Sequence, residues 1–111
     1  MPEFSRKLES DSVGATAVLM VGHKVTLTSA HAINTTGAKA YLQLFDAATA
    51  ASVTVGTTAP TYVVVSAAND PGDAPMLPGG GLLFENGIVI ASTTTATGNT
   101  GATQHVRLGV L

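Results

Sequence analysis

Three histidines, one serine near them and a few carboxylates are the residues of this 111-residue chain that could do chemistry. Cysteine is absent, which removes thiolate nucleophiles, thiolate metal sites and disulfides. His23, His31 and His105 share no short spacing, whereas an open zinc site draws three ligands, often two of them close in sequence, with a second shell behind. Structural roles are expected for all three. Ser29, His31 and Asp46 make a nominal nucleophile, base and acid, but no G-x-S-x-G elbow carries the serine. Asp70 and Asp73, beside Asn69, offer oxygen ligands for calcium, yet their loop lacks the Asp/Asn periodicity and closing Glu of an EF-hand. Turn capping is their expected role. Gly79 to Gly81 are followed neither by the Lys-Ser/Thr of a phosphate loop nor by a helix whose amides could face a phosphate. Asn34-Thr35-Thr36 matches a glycosylation sequon, a pattern that chance produces often. No catalytic set, cofactor site or metal site emerges, and the chain is expected not to be an enzyme.

Charge is scarce and unevenly placed. Charged residues are 11% of the chain, against about 25% in ordinary soluble domains. Glu3, Arg6, Lys7, Glu9 and Asp11 crowd into the first eleven residues. The remaining hundred hold only Lys24, Lys39, Asp46, Asp70, Asp73, Glu85 and Arg107. Much of the surface must therefore be Thr, Ser, Ala and Gly, which lose water cheaply and suit coverage by partners. A net charge of −2 provides no basic footprint for nucleic acid. "AVLMV" (17–21) is too short for a signal core or a bilayer span, so no membrane partner is expected.

The elements that would position these residues read as strands. Val, Ile and Thr abound and glycines recur every few residues, which disfavours helix. "MPEFSRKLESD" (1–11) lacks a sustained period and is expected to be an arm, with a single β-domain over 12–111. "TAVLMVG" and "KVTLTSAHAIN" flank Gly22, the second alternating Val25, Leu27 and Ile33 against Thr26 and Thr28. "AKAYLQLFD" places Tyr41, Gln43 and Phe45 on one face and Leu42 and Leu44 on the other, so both its faces should be covered. "DAATAAS" (46–52) is a loop or a single turn. "TYVVVSA" is a further strand, and "NDPGDAPMLPGGG" a loop. "LLF", Glu85-Asn86-Gly87 and "IVIASTTTA" predict a hairpin with a type I′ turn. "QHVRLGVL" predicts a terminal strand. Six to eight short strands imply an all-β antiparallel β-sandwich or jelly-roll-like barrel with an extended N-terminal arm.

Three segments in order carry a resemblance: "AYLQLFDAATA" (40–50), "VGTTAPTYVVV" (55–65) and "LPGGGLLFENGIVIASTTTATG" (77–98). Tyr41, Leu42, Leu44, Phe45, Asp46, Val55, Gly56, Thr57, Pro60, Pro78, Gly80, Phe84, Gly87, Ile88, Ile90, Ala91 and Thr93 match a pattern of small tailed-bacteriophage virion proteins. The chain resembles them over just over half its length, and it departs from the longer fibre-type members in the expected organisation of an arm and one β-domain alone, which favours a decoration role. The resemblance implies a virion structural protein: a capsid decoration (cement) protein on the head surface, bound to the major capsid protein lattice. A tail-, neck- or fibre-associated protein is the alternative within the virion. A decoration role also implies a homo-oligomer, expected to be a trimer around a lattice axis. The expected contact residues are Phe4, Arg6 and Lys7 in the arm and Tyr41, Phe45, Phe84, Ile88 and Ile90 in the body. A glycan-binding host-contact domain is a further alternative, weakened by the absence of Trp and the presence of only two Tyr.

Overall fold

A computed structural model describes residues 6–69 and 81–111. The β-rich segments become eight strands: β1 (Arg6–Val13), β2 (Val18–Val21), β3 (Val25–Asn34), β4 (Ala40–Asp46), β5 (Tyr62–Ser66), β6 (Leu82–Phe84), β7 (Ile88–Thr93) and β8 (Gln104–Val110). Ala50–Ser52 forms a single 3₁₀ turn, and no α-helix occurs among the described residues. The strands build two antiparallel sheets in the orders β1-β8-β3-β6 and β2-β7-β4-β5. Pairing of first with eighth, second with seventh, third with sixth and fourth with fifth is the nested order of a jelly roll. The expected all-β sandwich is therefore the fold.

Burial follows from the pleat. Leu27, Leu42, Leu44, Phe84, Ile88, Ile90, Val106 and Leu108 fill the space between the sheets, each at most 1% exposed. On the far side of the second sheet, Phe45, Val89 and Ala91 pack with Ala47 and Val53 from the β4–β5 excursion. That second layer explains why all six residues of β7 are buried, and it bears out the expectation that β4 is covered on both faces.

The amide and hydroxyl groups near one end of the sandwich tie the sheets together. Gln104 Nε2 donates to Ser66 Oγ at 3.1 Å, and Ser92 Oγ donates to Gln104 Oε1 at 2.7 Å. Ser66 Oγ in turn donates to Ala32 O at 3.3 Å. These side chains are buried, so each bond also avoids the cost of about 1–3 kcal/mol for an unpaired polar group.

Three local expectations change. Residues 6–11 of the expected arm belong to β1, with Arg6 opposite Val110, Lys7 opposite Gly109 and Glu9 opposite Arg107. Leu8 and Val13 supply the apolar side that seats this charged segment on the core. Residues 1–5, Phe4 among them, lie outside the described residues.

In β3 the alternation holds for Val25 and Leu27, then breaks at a register shift between Leu27 and Ser29. An extra residue in one strand exchanges its faces. Ala30, Ala32 and Asn34 therefore turn inward, and Ile33 is left half-buried on the opposite face.

The expected β6–β7 hairpin is absent. β6 pairs with β3 and β7 pairs with β2 and β4, so Glu85-Asn86-Gly87 is an arch that crosses from one sheet to the other. Asn69 is the only non-glycine with positive φ among the described residues, which excludes a type I′ turn at Asn86. Gly87 is required for another reason. Its φ is +145°, and a Cβ there would stand 2.7 Å from Ala47 O and collide with Val21 O.

Candidate functional site

The residues with chemical potential are kept apart by this topology. Ser29 and His31 lie on β3 in the first sheet, while Asp46 ends β4 in the second. The Asp46 carboxylate is occupied in holding the arch. Oδ1 accepts from Asn86 N at 2.8 Å and Asn86 Nδ2 at 3.3 Å, and Oδ2 accepts from Glu85 N at 3.1 Å. The nominal triad thus divides between a surface strand and a loop clamp.

His105 Nε2 lies 2.9 Å and Arg107 Nε 2.7 Å from Glu9 Oε2, which joins β8 to β1 across the outer face of the first sheet. His31 sits opposite Arg107 on the next strand. His23 Nδ1 is 3.0 Å from Lys24 O. Among the described residues no group of three or more His, Cys, Asp or Glu is placed to hold a metal. Asp70, Asp73, Gly79 and Gly80 lie outside the described residues. Asn34 of the sequon is 1% exposed, and its Nδ2 donates to Ala38 O at 2.8 Å and Ala67 O at 2.9 Å. The atom that a glycan would use is therefore committed to the fold.

The expected contact residues separate just as clearly. Phe45, Phe84, Ile88 and Ile90 are at most 1% exposed in the chain's own two apolar layers, so in this structure they hold the sandwich together and offer no surface to a partner. Their uncharged neighbourhood in the sequence comes from burial between and beneath sheets of one chain. Tyr41 is half-buried on the outer face of the second sheet, opposite Val65. Arg6 and Lys7 stand in the edge strand β1. Phe4 lies outside the described residues.

The exposed apolar surface is made of residues that sequence inspection did not single out. Leu19, Val65, Leu83 and Leu111 are the exposed large apolar residues among those described. Leu83 and Leu111 flank Thr26, which pairs with Leu83 and exchanges backbone hydrogen bonds with Leu111. An apolar run at a strand position shows that the strand exists, but whether it ends a sheet depends on partners distant in sequence. A shallow cleft of about 350 Å³ lies near the arch, where Asp46, Ser52, Thr58, Thr61 and Asn86 supply its polar groups. No helix among the described residues is long and apolar enough to cross a membrane.

No protein-family model, curated protein or solved structure matches this chain.

Proposed function

We propose that this chain is a non-enzymatic structural protein of a tailed-bacteriophage virion, a decoration protein that binds the major capsid protein lattice on the head in many copies. The observation that carries the proposal is the shortage of charge over 12–111, with Thr, Ser, Ala and Gly in its place. A protein that stabilises a lattice by contact alone gains from faces that desolvate cheaply, because each buried unpaired charge costs several kcal/mol. The resemblance over 40–98 and a jelly-roll fold, an architecture that serves capsid domains among others, point the same way.

Addition of the purified chain to heads that lack it tests the proposal. Saturable binding, with a copy number proportional to the head lattice and a higher temperature of head disruption, is the expected outcome. Binding confined to tails moves the protein to the tail or neck. A role for the N-terminal residues in attachment is tested by removing 1–5, since a cut after residue 11 would also delete most of β1.

One observation favours glycan binding as the alternative. Thr58 Oγ1 and Thr61 Oγ1 accept backbone N–H groups of Thr54 and Asp46, which leaves both hydroxyl protons to donate at the cleft. Its volume is at the low end for ligand pockets. Glycan-array hits that disappear on Ala59→Trp, a substitution that fills the cleft, would establish this alternative.

A further inference from the structure

Among the described residues four strands end the two sheets: β1 and β6 in the first, β2 and β5 in the second. An open strand edge is a row of backbone donors and acceptors ready to pair with another chain, and folded proteins blunt it with charge, bulges or brevity. Three of these edges are blunted. β1 carries Arg6, Lys7, Glu9 and Asp11 and has a register shift between Ser10 and Val13. β2 is four residues long and shifts register between Leu19 and Val21. β6 has three residues.

β5 has none of these protections. Its five residues, YVVVS, contain no charge and no proline, and they pair with β4 in unbroken register from Leu44 opposite Tyr62 to Ala40 opposite Ser66. From Tyr62 to Val65 no backbone group has a hydrogen-bond partner beyond β4 among the described residues. Val65 is 54% exposed, the most of any large apolar residue described, and it stands beside half-buried Tyr41 and Val63 on the outer face.

We propose that β5 pairs antiparallel with β5 of a second copy of this chain. The occupant follows from the strand's own symmetry. A two-fold axis beside Val64 sets Val63 of each copy against Val65 of the other, so β-branched residues meet β-branched residues and no like charges face each other. A charged partner edge would instead have to desolvate unpaired charge against Val63 and Val65. The two β2-β7-β4-β5 sheets would then become one eight-stranded sheet, and Tyr41 of each copy would border the seam. This pairing does not rest on the head assignment. It predicts a two-fold assembly where the resemblance implies a three-fold one.

Light scattering across a concentration series, on the full chain, tests the pairing. The wild type is expected to run at twice the chain mass. Val65→Lys, which puts a charge on the open edge, is expected to run at the chain mass with unchanged far-UV circular dichroism. Val65→Thr, which keeps the β-branch without charge, is expected to retain the dimer, as is Leu83→Lys on the other sheet. A monomeric or trimeric wild type overturns the proposal. So does a dimer that survives Val65→Lys, or one lost only on Leu83→Lys. None of these results bears on whether the chain binds phage heads, which the head-binding measurement decides separately.

Discussion

The outer faces of the two sheets are treated in opposite ways. The second sheet is roofed by its own chain: Val53 and Ala47 pack onto Phe45, Val89 and Ala91, and Gly98 O accepts from Gln43 Nε2 at 3.1 Å. The first sheet carries the Glu9, Arg107 and His31 rung and the Leu83, Thr26 and Leu111 row, with no such roof among the described residues. Strands of the roofed sheet are uncharged except for Asp46, whereas those of the open sheet hold Arg6, Lys7, Glu9, Asp11 and Arg107. Low charge therefore has two origins here. Part marks interior surface of a small domain, and the remainder leaves a Thr- and Ser-rich exterior.

Breaking the roof should have the largest effect. Phe45→Ala is expected to cost about 3–5 kcal/mol, as much as Phe84→Ala between the sheets, because both leave a cavity in a packed layer. Chemical denaturation of the two variants measures this. A loss below about 1 kcal/mol for Phe45→Ala would show that the roof is not a second core.

Releasing the arch should cost less. Asp46→Ala removes an acceptor from Glu85 N and Asn86 N, and since water can reach these groups a loss of about 1–2 kcal/mol is expected by the same measurement. Substitution on the open sheet should matter least. Glu9→Gln weakens the contacts to His105 and Arg107 and is expected to cost less than about 1 kcal/mol, with the difference shrinking as salt is added. A salt-independent loss above that figure would mean that β1 is held mainly by this cluster and not by Leu8 and Val13.

Sequence inspection located β4, β5, β7 and β8 closely, because short runs of β-branched, aromatic or alternating apolar residues between turn-forming segments are local signals. It placed Leu42 and Leu44 opposite Phe45 correctly, since side-chain alternation needs only a straight strand. It failed on β1, where charges masked the Leu8 and Val13 pattern, and on β3, where a shift beside Gly109 exchanged the faces. A Cβ on Gly109 would stand 3.1 Å from Thr28 Oγ1 and also meet Ser29, a cross-strand proximity that no single segment reveals. The candidate contact residues fared unevenly for a related reason. Being apolar and uncharged is common to a core residue and an interface residue, and only the position of a second layer distinguishes Phe45 from Val65.

The amino-acid sequence by itself determined the all-β class, the places where the chain must turn and the poverty of charge, since each depends on residue type and near neighbours. Tertiary structure alone decided which strands pair, that Glu85-Asn86-Gly87 is an arch between sheets, and that β5 ends its sheet among the described residues. Those outcomes depend on contacts between residues far apart in the chain, and the free energy that selects them comes from burying apolar surface on both sides of β4 and β7 at once.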